Sequence, residues 1–198
     1  MYKKIITLIS VLWLLPTIVF AADTYIVQKN DSLWKIAVKY QIGVSEIIKS
    51  NPQFKNPNLI YPGDKVYVPN IDELKAIERE VIRLTNVKRQ QNGLSPLYEN
   101  WELSRCARYK SNDMAAKGYF SHQSPTYGSP FDMMKQFGIS YQSAGENIAK
   151  GQQTAAAVVE SWYNSPGHKA NMLSRSFNQI GVGYNATQKV WTQMFIQK

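Results

Sequence analysis

The sequence predicts an α+β fold built in two parts, a small module followed by a larger layered domain. In residues 25–69, two short β-rich runs flank two helical patterns, which predicts a βααβ module. In residues 71–198, helical patterns and extended runs follow one another without a regular βαβ repeat. This second pattern favours an α-β-α sandwich with a mainly antiparallel sheet.

The chain begins with the pattern of a signal peptide. Two lysines precede an apolar run over residues 5–20, and Val19-Phe20-Ala21 offers small or modest side chains to a signal peptidase. The run contains Pro16 and is shorter than the roughly 20 residues of a bilayer span, so cleavage after Ala21 is favoured over an uncleaved anchor. Ala22 is the second candidate for the cleavage site. We therefore expect a leader at 1–21, the module at 22–70 and the larger domain at 71–198.

Composition argues against a nucleic-acid-binding arm and against a fold held by disulfides. The 198 residues carry a formal net charge of +9, but the basic residues are spread out, which disfavours a nucleic-acid-binding arm. The excess charge suits an anionic envelope polymer, and it equally suits a soluble basic surface. Cys106 is the only cysteine, so no intrachain disulfide is available. Its helical surroundings predict a small buried residue rather than a reactive thiol.

The elements of the module follow from local signals. A β-rich run opens it, and the polar cluster Asn30-Asp31-Ser32 can cap the helix that follows. We expect Gly43 to end that helix and Ser45 to cap a second one, which stops before Pro52. A Pro-Gly turn of type II then leads into the second strand. The strands are expected at residues 25–27 and 65–69, and the turn at 61–64.

These residues resemble the LysM family. The matching stretches, in family order and spacing, are Tyr25-Ile26-Val27-Gln28, Asn30-Asp31-Ser32-Leu33-Trp34-Lys35-Ile36-Ala37 and Asn56-Pro57-Asn58-Leu59-Ile60-Tyr61-Pro62-Gly63-Asp64. The sequence departs from the family at Lys29-Asn30-Asp31, where a Pro-Gly-Asp turn is usual, although Asn tolerates the left-handed backbone of such a turn.

The LysM resemblance implies binding of an N-acetylglucosamine polymer, either peptidoglycan or a chitin-like glycan, in a shallow groove. Backbone amides and short polar side chains suit acetamido and hydroxyl groups, and apolar residues cover sugar faces. The alternative is that the same residues only form turns. Carried over by position, the groove consists of Asn30, Asp31, Ser32, Leu33, Asn58, Leu59, Ile60 and Tyr61.

Cap and stop residues divide the larger domain into elements. Asn100 and Gly118 bound one helix, and Ser165 with Pro166 is typical of the N-cap and first position of another. Further helices are expected over residues 71–90, 131–137 and 154–163, and extended segments over 145–148, 180–184 and 190–196. Residues 119–131, rich in Ser, Pro and Gly, are expected to form a loop.

Two histidines and two glutamates are the candidates for chemistry in this domain. His122 and His168 are the only histidines, and Glu146 and Glu160 have apolar neighbours. Two imidazoles and two carboxylates can hold a borderline metal such as zinc, or pair as acid and base. Spacing alone does not show that the four side chains meet, and the alternative is that each histidine is a satisfied core residue.

The same segment resembles bacterial members of the CAP superfamily, named for cysteine-rich secretory proteins, antigen 5 and pathogenesis-related proteins. The matching stretches are Phe120-Ser121-His122, Gly145-Glu146-Asn147-Ile148, Glu160-Ser161-Trp162, Ser165-Pro166-Gly167-His168-Lys169-Ala170-Asn171-Met172-Leu173, Ile180-Gly181-Val182-Gly183-Tyr184 and Trp191-Thr192-Gln193. The resemblance implies a cleft tetrad of His122, Glu146, Glu160 and His168, in which the two histidines hold a divalent cation such as zinc. The glutamates could instead orient the imidazoles. Absent disulfides and a short spacing from Glu160 to His168 are typical of bacterial members.

Three functions stay open at this point. The first is a secreted protein, associated with the cell wall, that binds peptidoglycan through LysM and presents a non-catalytic His/Glu cleft to another molecule. We favour it because the CAP family has no shared, established reaction. The second is a metal-assisted or acid/base hydrolase of wall or peptide substrates, with Ser121 beside His122 as a conceivable nucleophile. The third is a structural spore-envelope protein with spore-coat partners. No nucleic-acid partner is expected.

Overall fold

The first module has the predicted βααβ order. The computed structural model describes residues 22–198, so the signal peptide expected over 1–21 lies outside the described residues. Strands β1 (Ala22–Ile26) and β2 (Lys65–Pro69) pair antiparallel, and helices α1 (Leu33–Tyr40) and α2 (Val44–Ser50) lie between them in the chain. Apolar side chains from all four elements form the module's core, among them Leu33, Ile36, Ile47, Val66 and Val68.

The ends of the two short helices differ from the prediction. α1 ends at Gln41, whose φ of 52° is left-handed and whose N–H bonds back to the last turn. Gly43 is instead the N-cap of α2, and Ser45, the expected cap, lies inside that helix. A β-carbon at Gly43 would meet only the carboxylate end of the flexible Glu46 side chain, at 1.9 Å, which that side chain could relieve by moving. Asn30 does adopt the left-handed conformation expected of it, with φ 69°.

The larger domain follows without a long linker. Its elements are α3 (Asp72–Gln91), β3 (Tyr98–Glu99), α4 (Trp101–Lys117), α5 (Pro130–Gln136), β4 (Ser143–Lys150), α6 (Ala155–Tyr163), α7 (Pro166–Met172), β5 (Gln179–Asn185) and β6 (Val190–Gln197). The sheet order is β3-β5-β6-β4, and only the short β3 pairs in parallel. The predicted mainly antiparallel sheet is therefore confirmed, whereas β3 was not predicted from the sequence.

Alternating residues of β5 and β6 face two helical layers. Ile180 and Val182 belong to the core shared with α3 and α6. Gly181 and Gly183 instead lie against α4, and a β-carbon on Gly183 would stand 2.0 Å from the backbone nitrogen of Arg108. Only glycine allows α4 to approach the sheet this closely. With α5 packed beside α4, the domain is the α-β-α sandwich that the sequence predicts.

Polar contacts join the module to the larger domain. Lys75 Nζ, on α3, donates a hydrogen bond to the carbonyl oxygen of Tyr40 at 2.8 Å. The hydroxyls of Tyr109, on α4, and Ser45 are hydrogen-bonded at 2.6 Å. Helices α3 and α4 thus both contact the module, and each belongs to one of the two helical layers of the sandwich. In the described range, no helix has the length and apolar character needed to cross a membrane.

Candidate functional site

A histidine and a buried glutamate form the centre of the candidate site. The side chain of Glu146, on β4, is 2% exposed, and that of His122, on the loop after α4, is 53% exposed. Nδ1 of His122 lies 2.7 Å from Oε1 of Glu146. Burial raises the pKa of Glu146, and the bond to His122 opposes that rise. The other carboxylate oxygen is buried without a hydrogen-bond partner, so the carboxylate has no second anchor.

Two residues of α4 hold the loop that carries His122. Lys110 is buried, and its Nζ donates a hydrogen bond to the backbone carbonyl of His122 at 2.7 Å. The carboxylate of Asp113 accepts hydrogen bonds from three hydroxyls of the same loop, those of Tyr119 at 2.6 Å, Ser124 at 2.7 Å and Thr126 at 2.5 Å. Neither residue was a candidate from the sequence, because helical phase alone does not show which loop a helix faces.

His168 stands in the first turn of α7, with its Nδ1 hydrogen-bonded to Oγ of Ser165 at 3.0 Å. Ser165 occupies the predicted N-cap position, but its hydroxyl bonds this imidazole and caps no backbone N–H. Burial and then the charge of His122 lower the pKa of His168. Asn171, on the same helix, donates a hydrogen bond to the carbonyl of Glu146 at 3.2 Å, which places α7 beside the strand that carries Glu146.

Glu160, the fourth residue of the expected tetrad, has a different partner. Its side chain is 54% exposed and forms an ion pair with Lys88 of α3 at 2.5 Å. Within residues 22–198, no hydrogen bond or ion pair joins it to either histidine. The reason is helical phase. Helix α6 buries Val158 and Trp162, and Glu160 lies two positions from each of them, so its side chain points to another side of the helix. The structure thus brings together only part of the expected tetrad.

The two imidazoles are the side chains best suited to hold a metal ion. Each has its Nδ1 engaged and its Nε2 free of hydrogen bonds to other described residues, the pattern by which an outer partner orients a metal-binding histidine. Over residues 22–198, no group of three or more His, Cys, Asp or Glu side chains could hold a metal ion. A divalent cation would therefore take its other ligands from water or a bound molecule. Cys106 is fully buried, as expected.

The expected glycan groove separates into residues that build the module and residues that stay exposed. Asp31 accepts hydrogen bonds from the Tyr25 hydroxyl and the Gln28 N–H, both at 2.7 Å. Ser32 caps α1, Leu33 is buried and Ile60 packs against the core. In contrast, Leu59 is 53% and Tyr61 59% exposed. Asn30 and Asn58 are exposed as well, as is Trp34, which is not part of the expected groove.

Two protein-family models match the chain in succession. A LysM domain matches residues 25–69, and the cysteine-rich secretory protein family, CAP, matches residues 82–197. A crystal structure of an extracellular protein containing a SCP domain, from Bacillus anthracis strain Ames, is similar to this chain. The TM-score is 0.61 and the identity 34%, over 69% of this chain and 47% of that one.

Curated relatives match one part of the chain or the other. The uncharacterized protein YkwD of Bacillus subtilis (strain 168) is 58% identical over 125 residues, which are 63% of this chain and 49% of that protein. The spore coat assembly protein ExsA of Bacillus cereus is 52% identical over 46 residues, which are 23% of this chain and 7% of that protein. The chain thus spans about half or less of the length of these relatives.

Proposed function

We propose that this chain, which belongs to the cysteine-rich secretory protein (CAP) family and carries a LysM domain ahead of that region, is an exported protein of the cell wall. Its LysM domain binds peptidoglycan. Its CAP domain presents His122, Glu146 and His168 to a second molecule and catalyses no reaction on it.

Exposed apolar side chains in the LysM domain carry the glycan part of this proposal. Leu59 and Tyr61 are more than half exposed, and neither belongs to the core of the module. Exposed apolar side chains of this kind can pack against sugar rings, while the exposed amides of Asn30 and Asn58 can bond acetamido and hydroxyl groups. None of these four side chains belongs to the core of the module, which supports a role in binding.

A sedimentation assay with purified peptidoglycan tests this part. The wild-type protein should pellet with the insoluble polymer, and the double variant Leu59→Ala/Tyr61→Ala should bind about tenfold more weakly, a loss of about 1.4 kcal/mol. Tyr98→Ala is the matched control, because Tyr98 is an exposed tyrosine in the CAP domain, 76% exposed against 59% for Tyr61. Undiminished binding by the double variant would contradict the groove, and insoluble chitin in place of peptidoglycan would separate the two glycans.

The geometry of the CAP domain supports ligand binding without catalysis. Oγ of Ser121 accepts a hydrogen bond from the N–H of Gln123 at 3.1 Å and is not hydrogen-bonded to the neighbouring imidazole. The pair of nucleophile and base that a serine mechanism requires is therefore missing. Glu160 is likewise engaged with Lys88, which leaves one carboxylate beside the two histidines.

A hydrolase is the second candidate because one observation favours it. His122 bonds a buried carboxylate through Nδ1, which orients its Nε2 as in a general base. A divalent cation bound by the Nε2 atoms of His122 and His168 would supply a Lewis acid and a more acidic bound water. In that case Glu146 and Ser165 would orient the two imidazoles.

Incubation with purified peptidoglycan, with and without zinc, separates these two candidates. The wild-type protein should bind without releasing soluble fragments, as should the double variant His122→Ala/His168→Ala. Fragments released by the wild type and not by the variant would overturn the non-catalytic proposal.

A place in a spore envelope is the third candidate. Its support is the likeness of the LysM domain to a protein whose name describes spore coat assembly. A fluorescent fusion in a spore-forming host would test it, since fluorescence that stays on the vegetative wall would contradict this location.

A further inference from the structure

A row of buried polar side chains runs beneath the candidate site. Asn147 on β4, Gln193 on β6 and Thr85 on α3 are fully buried, and Asn171 on α7 continues the row; we name these four residues the amide chain. Burying a polar group without a partner costs about 1–3 kcal/mol, so apolar side chains would fill this space at lower risk. Such a row calls for an explanation beyond packing.

The core end of the amide chain is anchored on α3. Oγ1 of Thr85 donates a hydrogen bond to the carbonyl of Val81 at 2.8 Å and accepts one from Nε2 of Gln193 at 2.9 Å. Oε1 of Gln193 then accepts a hydrogen bond from Nδ2 of Asn147 at 3.1 Å. Helix and sheet are thus joined by side-chain groups that are all bonded.

The other end of the amide chain reaches both halves of the site. Nδ2 of Asn147 also donates a hydrogen bond to the carbonyl of His168 at 3.1 Å. Oδ1 of Asn147 accepts a hydrogen bond from Nδ2 of Asn171 at 2.9 Å. This nitrogen of Asn171 also donates a hydrogen bond to the carbonyl of Glu146 at 3.2 Å. The backbones of His168 and Glu146 are therefore linked through two asparagine amides.

We propose that Asn147 is a positioning residue, which fixes the backbone of His168 against that of Glu146 and so sets the separation of the two imidazoles. Glu146 in turn bonds His122, so the chain of contacts runs from one histidine to the other. This inference rests on the proposed function, in which both imidazoles meet one ligand.

The chemistry of the amide explains why asparagine suits this position. Its nitrogen carries two hydrogens, which serve His168 and Gln193, while its oxygen accepts from Asn171. Aspartate would offer no hydrogens, and leucine would offer neither donor nor acceptor. Helix α7 spans only Pro166–Met172, and a helix of that length has little stability of its own, so its position depends on such contacts.

Nitrogen NMR of the imidazoles gives a direct test, because the protein has only two histidines and hence two sets of ring signals. Asn147→Leu should shift or broaden the ring signals of His168, since its backbone loses its anchor. Titration with zinc alone should then show an affinity about tenfold weaker than that of the wild type, because the two imidazoles are no longer held at one separation; this is the lower end of the loss seen when the support of a metal-binding histidine is removed. Asn147→Ser, which is smaller and polar, serves as the second variant if Asn147→Leu does not fold.

Ser111→Ala is the matched control. Ser111 is fully buried and lies outside the amide chain, where its hydroxyl bonds the carbonyl of Gly183 and the hydroxyl of Thr192. Its loss should destabilise the fold while leaving the ring signals and the zinc affinity unchanged. Unchanged His168 signals in the Asn147 variants would overturn the inference. Equal changes in Ser111→Ala would also overturn it, because any loss of a buried hydrogen bond would then suffice. If the wild type binds no zinc, metal binding by the two histidines is contradicted, and the ring signals alone then test the role of Asn147.

Discussion

Asp113 is one of the two residues of α4 that hold the loop carrying His122, and Asp113→Asn removes its charge with little change in shape. Oδ2 of Asp113 accepts the hydrogen bonds of Tyr119 and Ser124, and Oδ1 accepts that of Thr126. If the amide nitrogen replaces Oδ1, one charge-assisted bond is lost at ~2 kcal/mol and two are weakened by ~0.5 kcal/mol each. The free energy of unfolding should therefore fall by about 3 kcal/mol at neutral pH.

The pH dependence of this loss identifies its cause. Burial by itself would raise the pKa of Asp113, but the three hydroxyl hydrogen bonds together hold it below the ordinary value of 3.8. A carboxyl group whose pKa is lowered by folding contributes stability above its unfolded pKa and loses that contribution as the pH falls through the folded pKa. The difference between wild type and Asp113→Asn should be full above about pH 5 and shrink below about pH 4.

Urea unfolding followed by tryptophan fluorescence across this pH range measures the difference. Asp72→Asn is the control, because the Asp72 side chain is 76% exposed and its substitution should change the free energy of unfolding by less than about 0.5 kcal/mol. A loss for Asp113→Asn that is as large in acid as at neutral pH would refute the reasoning, since charge would then play no part. A loss within the range of the control at neutral pH would refute it as well.

Three further substitutions or reactions test the packing of the CAP domain. Gly183→Ala should lower the free energy of unfolding by about 3 kcal/mol in chemical denaturation, because its β-carbon would meet the backbone of α4, whereas Gly167→Ala, with open space around it, should stay within about 0.5 kcal/mol. Arg108→Met should cost about 3–5 kcal/mol, because it leaves the carboxylate of Glu78 buried without the partner it bonds at 2.7 and 2.9 Å; adding Glu78→Leu should recover most of the loss, and no recovery would contradict this reason. Cys106 should react with a thiol reagent only after unfolding, since burial raises its pKa to about 12, and rapid labelling of the native protein would contradict its burial.

Element boundaries were predictable where their causes are local. Asn100 caps α4 through the N–H of Leu103, and Gly118 ends that helix with a φ of 68°. The prediction failed where contacts between elements decide. α1 ends on Gln41 rather than on the nearby glycine, and β3 is a two-residue strand defined only by its pairing with β5. Periodicity carries no information about either feature.

The arrangement of the candidate site was harder to predict, because it depends on how loops and helices face one another. Ser165 has the sequence signal of an N-cap, yet its hydroxyl bonds His168. Glu160 has apolar neighbours in sequence, yet its helix turns it toward Lys88. In both cases the residue type allows two uses, and only the packing of α6 and α7 selects one of them.

The burial of the amide chain, in contrast, can be predicted from the alternation of side chains along a strand. Trp191, Gln193 and Phe195 share one face of β6, so a glutamine between two large aromatic residues at this spacing must be buried. Asn147 lies directly opposite Gln193 on β4. One amide cannot use all the donors and acceptors of another, so a buried pair must find further partners outside the sheet. Here those partners are a hydroxyl on α3 and the backbone of the helix that carries His168. Two buried amides on adjacent strands therefore indicate which helix bears the site.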